Sequence, residues 1–213
     1  MPEVLKRLKK VPLPCELEVI LVDDGSTDGT RELLKPPPDG CKVILQDRNR
    51  GKGAAVRAGI AAATGDFLLI QDADLEYSPA EIPLLLGPLM DGRADVVYGS
   101  RFLGGPQRVH LFWHYVANKL FTLLCDALYN VNLSDMGTGY KAFRAEALRA
   151  FPLRSDRFGF EAEVTAKVCR RGLRMYEVPI SYSGRTYAEG KKITWRDGLV
   201  ALGVLIRCRF RTG

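Results

Sequence analysis

The stretch FLLIQDADLEY, residues 67–77, decides the fold class because an apolar run passes directly into three acids at alternate positions. Its first five residues predict a buried β-strand. Asp72, Asp74 and Glu76 follow this strand. Side chains two positions apart in an extended chain point the same way, so we expect the three carboxylates to converge. Carboxylate oxygens suit a hard divalent cation, and the stretch therefore predicts a Mg²⁺ or Mn²⁺ site.

The same acids have a simpler explanation as a solvated loop before a helix, with Ser78 as N-cap and Pro79 as the first helical residue. A second acidic strand end favours a ligand site, because Asp23 and Asp24 follow the apolar run of residues 17–22. Ligands of open α/β sheets bind beyond the carboxyl ends of the strands. Both acidic ends are therefore expected at one site.

Apolar, β-branched runs alternate with helical patterns along the chain, which predicts an α/β fold with a largely parallel sheet. Predicted strands cover residues 17–22, 42–46, 67–71, 95–100, 140–144 and 175–181, and predicted helices cover residues 27–35, 51–63, 79–90, 109–128, 161–171 and the tail from residue 194. The PPPDG of residues 36–40 predicts a loop inside the domain, because proline cannot continue a helix.

The composition bounds the class of protein. The 213 residues are 46% hydrophobic and 26% charged, which predicts one globular domain with a substantial core. Apolar runs such as residues 199–206 are shorter than the ~20 residues of a membrane-spanning helix. The start MPEVLKRLKK shows no secretory signal, so a cytoplasmic location is expected. Five scattered cysteines without a C-x-x-C pair are expected to be reduced.

The net charge of +6 favours anionic partners such as phosphates or acidic lipid headgroups. Nucleic acid is not expected as a partner. The sequence contains no recognised nucleic-acid-binding module, and acidic strand ends would repel a phosphate backbone unless a metal ion intervened.

Six motifs occur along the chain in this order: VDDGSTDGT, NRGKGAAVRAG, DADLEYSP, VVYGSRF, DMGTGYKAF and GRTYAEGKKI. As a set they resemble family 2 glycosyltransferases, in particular the dolichyl- and polyprenyl-phosphate mannosyl and glucosyl transferases. The resemblance implies a GT-A fold, which is Rossmann-like with a mostly parallel sheet flanked by helices. It also implies transfer of a hexose from GDP-mannose or UDP-glucose to a polyprenyl phosphate, assisted by Mg²⁺ or Mn²⁺.

The resemblance places the metal on Asp72 and Asp74, with Glu76 as third ligand. The residues implied in donor binding are Asp23, Asp24, Ser26, Lys52 and Gly53. A turn with an N-cap at Thr27 or Asp28 explains part of the first motif but not its two adjacent acids. For Lys52, a solvated position at the start of a helix is an equal alternative.

The remaining implied site residues concern catalysis and the acceptor. Arg101 follows the fourth strand, where it grips phosphate or remains a solvated charge. Asp135 orients the acceptor or only caps a turn, because a lipid phosphate is already anionic and needs little activation by a base. Arg185, Lys191 and Lys192 lie on a glycine-containing loop and are implied to bind the acceptor phosphate, against the alternative of an ordinary basic surface loop.

The sequence departs from the family pattern at two places. Family members begin with a strand ending in a P-x-Y-N-E type sequence, whereas residues 1–14 predict a helix. A gap in the sheet would leave costly unpaired backbone groups, so either the chain is truncated or another segment fills the gap. Gly137 is the second departure, since relatives often carry a bulkier or acidic residue there.

The domain prediction is a GT-A catalytic domain over residues 1–193, without the usual first strand, and a basic amphipathic helix of the same domain over residues 194–213. This helix either packs on the core or lies in a membrane interface. The chain is accordingly expected in the cytoplasm, peripheral at the inner face of the membrane. Two alternatives are a family 2 transferase with a glycan acceptor and a truncated nucleotide-sugar binding protein without turnover. A metal-dependent phosphohydrolase would need a base or nucleophile beside the DAD acids, and neither histidine is placed for it.

Overall fold

The computed structural model describes residues 1–109, 111–157, 159–185 and 195–210. The helices are α1 (Pro2–Leu8), α2 (Thr30–Leu33), α3 (Lys52–Ala62), α4 (Ile82–Met90), α5 (Phe112–Tyr129), α6 (Ala145–Arg149), α7 (Gly159–Arg170) and α8 (Trp195–Phe210). The strands are β1 (Val19–Asp23), β2 (Cys41–Leu45), β3 (Phe67–Ile70), β4 (Val96–Ser100), β5 (Lys141–Arg144) and β6 (Met175–Pro179). The predicted elements are confirmed, although α2 is only one turn long and α6 is additional.

The strands form two sheets. β1 and β2 pair in parallel, and the second sheet has the order β3-β5-β4-β6. β4 and β6 are parallel, whereas β5 runs antiparallel to both of its neighbours, a feature that the sequence did not indicate. The described segments contain no strand that joins β1 to β3. The α/β class predicted from the sequence is confirmed.

The direction of β5 determines where a site can form. Lys141, at the start of β5, lies opposite Ile70 at the end of β3 and opposite Tyr98 near the end of β4. The loop before β5 therefore reaches the same sheet edge as the acids after β3. Ligands of α/β sheets bind at such an edge.

The core consists of a sheet with helices on both faces. Val97 packs in a cluster with Leu85 and Leu89 of α4, whereas Tyr98 packs in a cluster with Phe160 of α7. Alternate side chains of β4 thus enter opposite layers, as expected for a strand. Burial on both faces explains why the whole of β4 is apolar or small and inaccessible.

The C-terminal helix α8 packs on α5 and α7. Ala201, Val204 and Leu205 are buried in a cluster with Cys125 of α5. The Tyr129 hydroxyl donates to the Leu205 carbonyl at 2.7 Å. One face of α8 therefore belongs to the core of the domain. Among the described helices, none combines the length and the apolar character needed to cross a membrane.

Candidate active site

The acids after β3 are held by basic side chains from other parts of the chain. Lys52 Nζ lies 2.8 Å from Asp72 Oδ2. Arg185 Nη2 lies 2.6 Å from Asp74 Oδ2, and Arg185 Nε lies 3.0 Å from Glu76 Oε1. Each predicted metal ligand thus carries a positively charged partner. Arg185, predicted to bind the acceptor phosphate, is in this structure the counter-ion of two acids.

The geometry that we expected for these acids is wrong. β3 ends at Ile70, and the chain then turns, with Leu75 in the left-handed region at φ 62°. Asp72, Asp74 and Glu76 do not alternate along an extended strand. Of the residues described, no three acidic, histidine or cysteine side chains form a group that could hold a metal ion.

The donor chemistry of the site nevertheless fits a divalent cation. Burial raises the pKa of Asp74, and the neighbouring charges of Asp72 and Glu76 raise it further. These carboxylates are therefore close enough to repel one another, and hard carboxylate oxygens are the ligands that Mg²⁺ and Mn²⁺ prefer. Binding of a cation by Asp72 and Asp74 would require Lys52 and Arg185 to give up their present partners.

A chain of charges, half-buried at Asp72 and Lys52 and fully buried at Lys141, connects Asp72 with the loop before β5. Lys52 also pairs with Glu161 Oε1 of α7 at 3.0 Å, and Glu161 Oε2 pairs with Lys141 Nζ at 2.7 Å. Lys141 is fully buried and donates to the carbonyls of Met136 and Thr138. The series Asp72, Lys52, Glu161 and Lys141 alternates in sign, so each buried charge has an opposite neighbour.

The pKa shifts along this chain follow from burial and from the partners. Burial alone would lower the pKa of Lys52 and raise that of Glu161, but the opposite charges outweigh it, so both groups stay ionised. For Lys141 burial prevails and lowers the pKa. Charged side chains with so little access to water are stable in the fold only when each has an oppositely charged partner.

Sequence reasoning missed Glu161 and Lys141 as site residues. Lys141 sits in the strand sequence YKAF between apolar neighbours. A lysine in an apolar strand requires a buried partner, and that requirement is the signal that could have identified it. The partner, Glu161, lies twenty positions later at the start of α7, and nothing in the local sequence connects the two.

Asp135 and Arg101 form a second, two-pronged ion pair. Arg101 Nε and Nη2 each lie 2.7 Å from one carboxylate oxygen of Asp135, and the backbone N–H of Arg101 donates to the same group at 3.1 Å. Burial alone would raise the pKa of Asp135, but the charge and hydrogen bonds of Arg101 hold it below its ordinary value. Glu177 accepts hydrogen bonds from the backbone N–H groups of Ser134 and Asp135. This loop is therefore held rigidly at the sheet edge.

Gly139 brings the loop before β5 against the DAD acids. A Cβ atom at this position would lie 2.7 Å from Asp72 Oδ2 and 3.0 Å from Lys52 Nζ. The Tyr77 hydroxyl accepts a hydrogen bond from the Gly139 N–H at 3.0 Å. The motifs DADLEY and DMGTGYK are thus in contact, and the space beside Asp72 fits a glycine at position 139 without a side chain. Gly137 similarly faces Asn118.

The residues predicted to bind the donor support the loops beside this edge. Asp23 is buried and accepts from the Ser26 N–H, and Arg31 Nε lies 3.5 Å from it. Asp24 accepts from the backbone N–H groups of Arg50 and Gly51 at 2.8 and 2.7 Å. The structure thus gives these acids backbone partners, and their donor-binding role stays a prediction.

Of the remaining predicted residues, one is closely packed against the segment before α7 and two lie outside the described part of the chain. Gly53 packs so tightly that a Cβ atom would lie 2.1 Å from the Ser155 carbonyl oxygen. Lys191 and Lys192, predicted to bind the acceptor phosphate, lie outside the described residues.

The model of a known protein family, Glycosyl transferase family 2, matches residues 1–151. Glycosyltransferase AglJ of Haloferax volcanii is 33% identical in an alignment over 172 residues that covers 78% of this chain and 54% of that protein. The undecaprenyl-phosphate mannosyltransferase of Micrococcus luteus is 32% identical in an alignment over 206 residues that covers 90% of this chain and 81% of that protein. The chain thus spans about half the length of the first relative and most of the second.

A solved structure is similar in fold. It is glucosyl-3-phosphoglycerate synthase from Mycobacterium tuberculosis in complex with Mn²⁺, uridine diphosphate and phosphoglyceric acid. The TM-score is 0.70 at 21% identity, and the match covers 92% of this chain and 69% of that one. A likeness at this identity concerns the fold, and it confirms the predicted GT-A architecture.

Proposed function

Because the chain belongs to glycosyl transferase family 2, we propose that it transfers a hexose from a nucleotide diphosphate sugar to a polyprenyl phosphate. The observation that carries this proposal is the meeting of Asp72, Asp74 and Glu76 with Lys52 and Arg185 at one sheet edge. The name of the Micrococcus relative, an undecaprenyl-phosphate mannosyltransferase, supports a lipid phosphate as the acceptor. GDP-mannose and UDP-glucose are the proposed donors.

The donor diphosphate becomes more negative as its bond to the sugar breaks. In our proposal Asp72 and Asp74 hold Mg²⁺ or Mn²⁺, with Glu76 beside them, and the bound cation supplies Lewis-acid stabilisation of the leaving diphosphate. Lys52 stays adjacent through its second partner Glu161 and adds a fixed positive charge. Fixed charges aimed at the place where charge develops are a principal source of catalysis.

The acceptor phosphate would need a positive site and no base. Its oxygen is already anionic, so proton removal is not required for attack. Arg185 is 38% exposed in its side chain, so a ligand can reach it, and we assign it to the acceptor phosphate. Asp135 is committed to Arg101 in a buried pair and therefore fixes the position of Arg101 and does not act as a base.

We also propose contact with the surface of a membrane, at its cytoplasmic face. α5 exposes Phe112, Trp113 and Leu123, with Trp113 at 75% exposure. α8 exposes Leu199 and Phe210 on the face away from the core. Aromatic and aliphatic side chains of this kind are favoured at the boundary of headgroups and acyl chains. Such contact would bring the site to an acceptor held in the bilayer.

The test is transfer of radiolabel. The purified chain is incubated with labelled GDP-mannose or UDP-glucose, polyprenyl phosphate in detergent, and Mn²⁺, Mg²⁺ or a chelator, and label is counted in the organic phase. We expect cation-dependent transfer with one donor. Asp72→Asn should reduce the rate roughly 100-fold or more, a loss typical of removing a key electrostatic group.

The matched control is Asp91→Asn, which removes an exposed carboxylate far from the sheet edge and should leave transfer unchanged. If the label enters a glycan and not the lipid, the acceptor is a glycan and the proposed lipid acceptor is wrong. Donor binding by calorimetry without any transfer would overturn the proposal in favour of a nucleotide-sugar binding protein.

A further inference from the structure

A cleft of about 530 Å³ lies on the flank of the domain, between the segment before α3, the segment before α7 and α8. Four arginines from these three segments line it, namely Arg48, Arg50, Arg157 and Arg207. The cleft is not lined by Asp72, Asp74 or Arg185. It is thus separate from the proposed transfer site, although Lys52 begins the helix that follows Arg50.

The positive charge of this cleft is not balanced by carboxylates. The one acid in its lining, Asp156, accepts from Arg57 Nη2, and the nearby charges of Arg50 and Arg157 also lower its pKa, so a single carboxylate faces several guanidinium groups. In the described ranges, none of the four lining arginines forms an ion pair with an acidic side chain. Like charges gathered in a concave surface raise the local concentration of anions, and a guanidinium binds phosphate oxygens in pairs. The cleft therefore favours a phosphate-bearing ligand.

The arginine segments are fixed by backbone hydrogen bonds. Asp24 accepts from the N–H groups of Arg50 and Gly51, and the Ala54 N–H donates to the Asp156 carbonyl at 3.0 Å. On the other side, Glu163 accepts from the backbone N–H groups of residues 154 and 155 at 2.9 and 2.6 Å. The backbone that carries Arg50 and Arg157 is thus held in place, which lowers the ordering cost of binding an anion.

The third wall of the cleft is apolar. Val200 and Val204 of α8 line it, and the neighbouring Leu199 and Val200 are 59% and 58% exposed. A free inorganic anion gains nothing from such a wall. A ligand with a phosphate group and an apolar chain can use both surfaces, because burying apolar area beside the charged contacts adds to its binding.

We propose that this arginine cleft binds the phosphate group of an anionic amphiphile, with the apolar part of the ligand lying along the exposed Val200. The ligand class is a phosphate ester on an apolar chain, either an anionic phospholipid or a polyprenyl phosphate. This goes beyond sugar transfer, since the cleft uses none of the residues assigned to the donor cation or to the acceptor phosphate.

The experiment is co-sedimentation of the full chain with phosphatidylcholine vesicles that contain or lack phosphatidylglycerol. The test variant is Arg157→Gln/Arg207→Gln. The control is Lys6→Gln/Lys10→Gln, which removes the same charge from exposed positions at the N-terminal end of the chain. We expect the test variant to lose roughly 30-fold in partitioning to anionic vesicles, the loss typical of two basic residues at an anionic surface. The control should lose much less.

Equal losses in the two variants would overturn the proposal, because binding would then follow net charge and not the cleft. Circular dichroism and urea unfolding verify that each variant is folded. Hydrogen exchange gives an independent readout: residues 48–51 and 154–157 should be protected when anionic vesicles are added, and unchanged exchange there would also count against the cleft.

A second arm distinguishes the source of the phosphate. Neutral vesicles doped with polyprenyl phosphate replace phosphatidylglycerol, and inorganic pyrophosphate is titrated by calorimetry. Val200→Gln should weaken binding to both kinds of vesicle several-fold without affecting pyrophosphate. If Val200→Gln has no effect on vesicle binding, the ligand is not an amphiphile and this proposal fails. None of these readouts involves sugar transfer, so their failure is separate from failure of the proposed function.

Discussion

The two charged regions of this molecule differ in how their charges are balanced. At the sheet edge, Asp72 and Asp74 each have a basic partner within 2.8 Å, and the series continues through Glu161 to Lys141. In the flank cleft, four arginines share one carboxylate that is already bound to Arg57. Buried charges must be paired inside the protein, whereas exposed charges can stay unpaired and await a ligand. We therefore expect removal of a charge to destabilise the fold strongly at the sheet edge and only slightly in the flank cleft.

The largest effect is expected at Glu161. Glu161→Gln leaves Lys141, which is fully buried, without its carboxylate partner. Removing one partner of a buried pair typically destabilises by about 3–5 kcal/mol, and we expect a loss of this size in urea unfolding. Arg207→Gln in the flank cleft should change stability by no more than about 0.5 kcal/mol, as for other surface substitutions.

Glu146→Gln is the matched control, because it removes an exposed glutamate from the neighbouring helix α6. A loss at Glu161 no greater than at Glu146 would show that the charge chain from Asp72 to Lys141 contributes nothing to the fold. The contrast between the two charged regions would then be wrong.

A smaller effect is expected on the stability of the fold at low pH. Arg101 holds the pKa of Asp135 below its ordinary value of 3.8 in the folded chain. As the pH falls, Asp135 therefore takes up its proton at a higher pH in the unfolded chain than in the folded chain. The pair stabilises the fold above about pH 4, and this stability is lost as the pH falls through the folded value. Arg101→Gln removes the guanidinium but leaves the burial of Asp135, so the pKa of Asp135 should rise and acid destabilisation should begin at higher pH.

The acid experiment is urea unfolding between pH 3 and pH 7. Arg93→Gln serves as control, since it removes an arginine from the exposed Asp91, whose pair is screened by water, and should change the acid profile much less. Identical profiles for wild type and Arg101→Gln would mean that Arg101 does not set the ionisation of Asp135.

The smallest effect is expected at Arg185, whose pairs with Asp74 and Glu76 are partly exposed. Arg185→Gln removes the guanidinium that competes with a cation for these acids. Mn²⁺ affinity, measured by calorimetry without any sugar nucleotide, should therefore increase a few-fold, within the range of about 1 kcal/mol for exposed ion pairs. Arg174→Gln, which breaks an exposed pair with Asp95, should not alter it. Weaker Mn²⁺ binding in Arg185→Gln would contradict the competition.

The elements and the acidic edge could be predicted because their signals are local. An apolar run ending at Gln71 predicts a strand, and Asp72 and Asp74 directly follow it. The error concerned geometry beyond the strand. Alternation holds only while the chain is extended, and a turn with Leu75 at positive φ removes it.

The partners of the site residues could not be predicted because they are distant in the sequence. Lys52 and Glu161 meet only because α3 and α7 pack on the same side of the sheet. The placement of β5 between β3 and β4 is equally non-local, since a four-residue strand carries no record of its neighbours. Without that placement, neither the burial of Lys141 nor its need for Glu161 can be foreseen.

The absence of a side chain at Gly139 limits how this chain could be recombined with its relatives. Lys52 and Asp72 lie in the first half of the chain, and Gly139 lies in the second. A Cβ atom at Gly139 would lie 2.7 Å from Asp72 Oδ2 and 3.0 Å from Lys52 Nζ. A chimaera with its crossover between residues 90 and 130 would keep both halves intact in sequence. A second half that carries a side chain at this position would have to displace the Asp72 carboxylate or the Lys52 ammonium from its present place, so the residue at position 139 has to be matched to the first half.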